Sequence, residues 1–237
     1  MTPSIRLHVA TPLHEGAEIA LSAGQAHYLG TVMRRPVGGE VLLFNGRDGE
    51  WRGRIAALRR DRGHIEVGAR VRGQIMEPDI WLVFAVLKRD ATELVVEKAT
   101  ELGVSRLLPV VTARTIASRV NLDRLGLIAI EAAEQCERLS VPAIAPPTDM
   151  AAMLAHWPAE RRLVVAAERA SGGAVPRGGA SAALLVGPEG GFTPGELDLL
   201  ARQPFVQMAS LGPRILRAET AAIVGLALLQ VRHDGQD

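Results

Sequence analysis

The pattern of apolar and polar positions divides the chain near residue 73. Upstream, the signals are those of short strands. Val41–Phe44 is an apolar run closed by Asn45-Gly46-Arg47-Asp48-Gly49, and Trp51–Ile55 then alternates. Asn-Gly and Asp-Gly pairs between such runs are hairpin turns. Ile65–Arg72 alternates again, apolar to one face and polar to the other. Between Gln25 and Arg35 a short helical stretch with His27, Leu29, Val32 and Met33 leads into Arg34-Arg35-Pro36. Short strands joined by turns predict a small β-barrel-like module over residues 1–72. Arg34, Arg35, Arg52 and Arg54 are candidates for its basic face, against the plainer reading of a solvated strand surface.

From residue 73 onward the periods lengthen. Ile80–Leu87 is continuously apolar, as in a strand covered on both faces. Asp90-Ala91-Thr92-Glu93 reads as an N-cap with Glu at the third helical position, opening a helix that stops at Gly103. Leu107–Val111 is a strand. Residues 121–139 are expected as a helix with Leu122, Leu125, Ala129, Ala132 and Cys136 on one stripe. A proline-rich link, a short helix over Met150–Ala155 and a strand over Arg162–Ala167 follow, and Gly172–Gly179 reads as a flexible loop. Alternating strands and helices predict an α/β domain with a mostly parallel sheet over residues 73–237.

Two loops in that domain share one construction. The buried strand Ala182–Val186 empties into Gly187-Pro188-Glu189-Gly190-Gly191-Phe192, and Thr193-Pro194-Gly195-Glu196 then opens a helix with a capping box and a proline at its first position. A further strand, Phe205–Leu211, runs into Gly212-Pro213-Arg214-Ile215-Leu216-Arg217 and a final helix holding Glu219 and Thr220 in its first turn. That helix is apolar on every side, which predicts burial all round. In open α/β sheets, ligands gather beyond the carboxyl ends of strands, so the two loops are expected at one rim. Neither loop fits GxGxxG or the GxxxxGK[ST] phosphate loop. The residues themselves lead only to a backbone-lined pocket for a flat polar ligand, edged by Arg and Glu.

Composition changes the picture modestly. The 237 residues are 48% hydrophobic and 22% charged, an ordinary balance for a globular protein. No apolar run reaches the roughly 20 residues of a membrane span. The segment MTPSIRLHVATP lacks the pattern of a signal peptide. Cys136 is the only cysteine and the six histidines are scattered, so neither a disulfide nor a metal site is expected, and a reducing cytoplasm is the expected location. Residues 1–72 carry 11 Arg against 7 acids, and the remainder is mildly acidic. The only lysines are Lys88 and Lys98. Arginine suits bidentate phosphate contacts, so the basic N-terminal part favours nucleic acid as partner.

GPEGGF (Gly187–Phe192) and LGPRILRAETAA (Leu211–Ala222), in this order and at this separation, resemble the signature loops of the SPOUT class of knotted methyltransferases. Over essentially its whole length the chain is similar to the family that methylates N3 of a uridine in small-subunit 16S ribosomal RNA. Arg6-Leu7-His8, Glu97–Gly103, Arg114, Glu134-Gln135-Cys136, Arg138 and Val141-Pro142 extend the match. The resemblance implies a PUA-like RNA-binding domain, a C-terminal trefoil knot, a homodimer and S-adenosylmethionine as methyl donor. It implies donor binding by Ala166, Ala167, Val186, Gly187, Pro188, Glu189, Gly190 and Gly191, together with Leu211, Gly212, Pro213, Ile215, Leu216, Arg217, Thr220 and Ala221. It implies RNA contacts from Arg6, Arg34, Arg35, Lys88 and Arg114. Arg217, Arg138, Glu134 and Glu219 would serve the chemistry: an arginine for the anion developing on the base, a glutamate for the N3 proton. The family's pattern has a basic residue where Ala91 stands and a glycine where Glu137 stands. Cys136 is expected as inert packing, since attack through N3 needs no thiolate. Two other readings stand beside this one: an RNA-binding or ribosome-assembly protein without catalysis, and a related methyltransferase acting on another RNA.

Overall fold

Alternation in the first seventy residues produces a five-stranded sheet in the computed structural model, which describes residues 5–116, 119–167, 173–176 and 181–230. Its strands are β1 (Arg6–His8), β2 (Glu18–Ala20), β3 (Glu40–Phe44), β4 (Glu50–Leu58) and β5 (Gly63–Arg72), in the order β1-β3-β4-β5-β2. β1 runs parallel to β3, and the other pairs are antiparallel. Leu7, Leu43, Ile55 and Ile65 are buried at its centre. The helical stretch expected from Gln25 begins earlier, as α1 (Ala23–His27), because Ser22 and Gln25 form a reciprocal capping box. It then widens into a π-helical turn over Tyr28–Val32.

The chain divides into two compact units, and the first is not contiguous: Met1–Met76 is joined by Ala133–Val141. Arg6 fastens the returning segment. Its Nε donates to Glu50 Oε1 at 2.7 Å, Nη1 to the Ala133 carbonyl at 2.8 Å and Nη2 to the Arg138 carbonyl at 2.8 Å. The guanidinium also lies 4.4 Å from the Phe44 ring centroid. Arg72 binds the other oxygen of Glu50 at 2.7 Å and the Glu137 carbonyl at 2.8 Å. Glu134 Oε1 accepts from the His8 N–H at 2.9 Å, and Leu139 packs on Phe44 and Ala133.

The helix expected over 121–139 therefore stops early, as α3 (Leu122–Gln135), and Glu137 takes a left-handed φ of 61°. This is the position where the family pattern carries glycine. Cys136 is exposed beyond the helix end, not packed on its stripe.

In the second unit, Glu77–Ala132 with Pro142–Asp237, the unbroken run at Ile80 becomes an inner strand of an all-parallel sheet. Its strands are β6 (Asp79–Ala85), β7 (Arg106–Val111), β8 (Ala143–Ile144), β9 (Thr148–Asp149), β10 (Arg162–Ala166), β11 (Gly173–Ala174), β12 (Ser181–Val186) and β13 (Val206–Ser210). The order is β11-β13-β10-β12-β6-β7-β8, with β9 also on β7. Helices α2 (Arg89–Glu101), α4 (Met150–Ala155), α5 (Pro194–Ala201) and α6 (Ala218–Gln230) complete it.

Three expectations are corrected here. α2 is capped at Lys88 with no side-chain cap, because Glu93 is drawn away to Arg89 and Arg124 at 2.9 and 3.3 Å. α6 is not buried all round: Gly225, Leu226 and Leu229 are covered, but Ala227 is exposed and Ile223, Val224 and Leu228 are half-buried. A Cβ on Gly225 would stand 2.6 Å from Leu184 Cδ2, so the helix approaches β12 as closely as a glycine allows. Of the loop expected over Gly172–Gly179, residues 172 and 177–179 lie outside the described residues, and Gly173–Ala174 is no loop but pairs with β13.

Burial alone would raise the Glu50 carboxyl, but hydrogen bonds and charge from Arg72 and Arg6 outweigh it and hold the group below its ordinary 4.5. A carboxyl depressed by folding contributes stability that is complete above its ordinary value and lost as pH falls through its folded one. Glu50→Ala should cost roughly 3–5 kcal/mol at neutral pH, by stranding buried Arg6. In denaturant titrations the gap from wild type should shrink steadily below pH 4.5. Glu137→Gly should relieve the left-handed strain, gaining about 1 kcal/mol and raising Tm by about 2–4 °C in a thermal melt. A lowered Tm would show that the strain is not felt.

Candidate active site

Every strand of a parallel sheet ends at the same rim, and here three neighbours end there together, one in alanines and two in Gly-Pro loops. β10 lies between β12 and β13. The ends of these three strands, at Ala166, Val186 and Ser210, therefore stand side by side. Beyond them opens a cleft of about 570 Å³, within the range of small-molecule sites.

The cleft is lined from β10 by Ala166 and Ala167, from β12 by Val186, Gly187, Pro188, Gly190 and Gly191, and from β13 by Leu211, Gly212, Pro213, Ile215 and Leu216; α6 contributes Ala221. All of these are among the residues expected to hold a donor. Phe192, Leu197, Ser210 and Ala218 also line the cleft and were not expected there, and Arg214 lines it within the expected Leu211–Leu216 stretch. Phe192 and Arg214 sit inside the quoted motifs. Leu197 and Ser210 carry no local signal.

Alanine and glycine form much of the wall, so a flat ring can reach the main chain closely. Gly191 and Gly212 hold φ of 67° and 115°, conformations that side chains rarely adopt. The Phe192 ring lies under Gly187, where a Cβ would meet it at 3.0 Å.

The loop after β12 is braced from two sides. Thr193 and Glu196 form the expected capping box, with Pro194 at the first turn of α5. Glu196 Oε1 also accepts from the Ala113 N–H at 2.8 Å. Burial would raise the Glu196 carboxyl, but the N–H groups of Ala113 and Thr193 and the Thr193 hydroxyl hold it below its ordinary range. Arg114 Nη1 donates to the Gly190 carbonyl, which brings its guanidinium to the cleft.

Other expected residues fall elsewhere. Glu189, Arg217 and Thr220 are exposed and Glu219 is half-buried; all four belong to the loops or the first turn of α6 but do not line the cleft. Lys88 is exposed ahead of α2, and Arg34 and Arg35 lie in the first unit. Arg6, expected to touch RNA, is 6% exposed and its guanidinium is spent on Glu50 and the carbonyls of Ala133, Glu134 and Arg138, so it is a structural residue. Arg138 is 7% exposed, with Nε on Ser140 Oγ at 3.2 Å, and Glu134 is engaged by His8. Both lie in the 133–141 segment.

Among the described residues no three His, Cys, Asp or Glu side chains gather as metal ligands, and no helix is long and apolar enough to cross a membrane.

Family models match two parts of the chain: an RNA methyltransferase domain over residues 76–230 and an RNA methyltransferase PUA domain over residues 21–68. The ribosomal RNA small subunit methyltransferase E of Rickettsia conorii is 34% identical, over 96% of this chain and 94% of its own. That of Synechocystis is 32% identical, over 94% of this chain and 76% of its own. Among solved structures, a putative methyltransferase of Legionella pneumophila in complex with bound S-adenosylmethionine superposes with a TM-score of 0.88 at 28% identity, covering 96% of this chain and 97% of that one. The ribosomal RNA small subunit methyltransferase E of Neisseria gonorrhoeae, also bound to S-adenosylmethionine, gives 0.85 at 27% identity, covering 95% and 96%. With both halves matched and a third of its residues shared along nearly the whole length, the chain belongs to the ribosomal RNA small subunit methyltransferase E family of RNA methyltransferases.

Proposed function

We propose that the protein methylates N3 of a uridine in small-subunit 16S ribosomal RNA, in the cytoplasm and as a homodimer, with S-adenosylmethionine as donor. The observation that carries this reading is the cleft at the ends of β10, β12 and β13, walled by glycine and alanine and braced by Arg114 and Glu196. Its size and its mixed backbone and apolar lining suit an adenosyl group, which needs main-chain partners for its ring edge and apolar cover for its faces. When bound there, S-adenosylmethionine supplies a methyl group activated by the sulfonium.

The donor would be held by Ala166–Ala167, Val186–Gly191 and Leu211–Leu216. The knot implied by the resemblance belongs to this reading, with the loops after β12 and β13 as its crossing segments. The two loops are stiffened by Pro188 and Pro213, which lowers the ordering cost on binding.

Uridine N3 is protonated at neutral pH and must lose that proton to attack. Arg217, at the end of the second loop, stabilises the negative charge that develops on the base oxygens. Glu219, two residues on in the first turn of α6, accepts the N3 proton. Arg138 and Glu134, in the 133–141 segment with Arg138 Nε on Ser140 Oγ and Glu134 Oε1 on the His8 N–H, are the alternative pair for the anion and the proton. The target base must leave its stack to reach the cleft.

The homodimer is supported by α6, whose Ala227 is exposed and whose Ile223, Val224 and Leu228 are only half-covered within one chain. A second copy packed on this side of α6 would cover the apolar surface that one chain leaves open.

Calorimetry should detect donor binding, which a non-catalytic RNA binder would lack. Mass spectrometry of 16S ribosomal RNA from cells without the gene should lose one 3-methyluridine, and loss of a different nucleoside would overturn the assignment. Arg217→Ala should cut single-turnover methylation by about 100-fold or more, as removal of an oxyanion donor does, with donor affinity little changed. Unchanged turnover would remove Arg217 from the mechanism. Sedimentation equilibrium should report twice the chain mass of 25.3 kDa, and a monomer at micromolar concentration would sink the dimer.

A further inference from the structure

The turn that follows β7 is closed twice and reaches toward the loop after β12. The Thr115 N–H donates to the Thr112 carbonyl at 3.1 Å, and the Thr112 N–H donates to the Thr115 hydroxyl at 2.9 Å. Threonine hydroxyls bond readily to nearby main chain, and here they fix the turn at both ends. Two residues stand at its crest. The Ala113 N–H donates to Glu196 Oε1 at 2.8 Å, and Arg114 donates through Nη1 to the Gly190 carbonyl.

Gly190 shows how closely the arginine lies on the loop. Its φ is outside the left-handed region, so the backbone itself would accept a side chain there. A Cβ, however, would stand 3.3 Å from Arg114 Cδ and 3.5 Å from Arg114 Cβ. The space that a side chain would take at this position is filled by Arg114.

The two charged groups are used differently. Glu196 is committed to the protein, since Oε2 takes the Thr193 N–H at 2.7 Å and the Thr193 hydroxyl at 2.9 Å. A guanidinium has five N–H donors. Arg114 spends one on Gly190, and the others have no partner among the described residues.

The lining of the cleft says what they would meet. Its only charged side chains are Arg114 and Arg214, and no carboxylate or histidine lines it. S-Adenosylmethionine carries a sulfonium, an ammonium and a carboxylate, and only the carboxylate attracts a guanidinium. Arg214 is exposed and makes no hydrogen bond or ion pair with a described residue. Arg114 is held by its bond to Gly190, by the closed turn and by Glu196. A fork already in place loses less freedom on gripping a carboxylate with two parallel bonds.

We propose that Arg114 receives the α-carboxylate of the methyl donor, and that Glu196 positions it there without touching the donor. Resting on the methyltransferase reading, this assignment gives Arg114 to the donor instead of the RNA contact that the resemblance implies.

Calorimetry with S-adenosylmethionine and with its decarboxylated form measures what the carboxylate contributes. Wild type should prefer the carboxylated donor by roughly 10- to 100-fold, the range for hydrogen bonds to a charged group. Arg114→Ala should bring that preference close to unity. Arg114→Lys should keep only part of it, because a point charge replaces the fork. Glu196→Ala should lower it as well, and Glu196→Gln, which retains one acceptor oxygen, should recover part. 5′-Methylthioadenosine lacks the amino-acid chain and should bind wild type and all four variants alike, which a collapsed cleft would not do. Filter binding of small-subunit ribosomal RNA transcript should be the same for wild type and Arg114→Ala.

An unchanged preference in Arg114→Ala would overturn the proposal, and lost RNA affinity beside it would return Arg114 to the RNA. Loss of the preference in Arg214→Ala alone would move the carboxylate to that residue and overturn it too. Weakened methylthioadenosine binding in the Glu196 variants would reduce Glu196 to a support of the cleft and remove its positioning role. Failure of wild type to bind either S-adenosylmethionine or methylthioadenosine would overturn the methyltransferase reading itself.

Discussion

An all-parallel sheet has a polarity that no single residue sets: every strand delivers its carboxyl end to one rim, and each connection must cross a face to begin the next. Loops after β10, β12 and β13 are therefore compelled to meet, because those strands are neighbours. The rest of the site follows from that convergence. Alanines at the end of β10 and in α6 and glycines in the two Gly-Pro loops line part of the rim, and small residues bring main-chain groups within reach of a ligand. Small residues pack weakly, which is why the first loop is braced from outside by Glu196 on the Ala113 N–H and by Arg114 on the Gly190 carbonyl. Both braces join segments far apart in sequence. The recognition surface is thus soft in composition and firm in support.

A different constraint holds the first unit together. Glu50 is 3% exposed and sits between Arg6 and Arg72, a buried carboxylate with two cations. The geometry leaves no oxygen unmatched, and the spare nitrogens of both arginines go to carbonyls at 133, 137 and 138. Those carbonyls lie at and just past the end of α3, where backbone acceptors lack helical partners. Arginine side chains from the sheet supply the missing donors. The left-handed turn at Glu137 belongs to the same arrangement, since it directs that carbonyl to Arg72.

Much of the second unit was legible because its signals are local. A strand buried on both faces must be apolar throughout, and Thr193-Pro194-Gly195-Glu196 carries its own hydrogen-bonding instructions; both elements form where the pattern places them. The two Gly-Pro loops were legible as neighbours at one rim because glycine and proline fix backbone shape wherever they stand, and both line the cleft. Asp90 misled, since an N-cap competes with whatever else can engage its Glu partner, and Arg89 and Arg124 win Glu93. Cys136 and Arg6 misled in opposite directions. Helical spacing placed the cysteine in a core and it lies exposed past the helix end, while an arginine near the start of the chain looked free and is buried. In both cases the deciding interaction lies more than a hundred residues away or depends on where a helix stops.

The sequence by itself determined the elements, their class and the two loops that define the cleft, because hydrophobic period, capping chemistry and backbone preference act within a few residues. Only the tertiary structure decided which strands are neighbours, that β10 separates β12 from β13, which arginines are consumed by the fold and which remain at its surface. These depend on contacts between segments distant along the chain. Local pattern carries no record of them, since the free energy that selects them arises from burial and charge pairing once the segments have met.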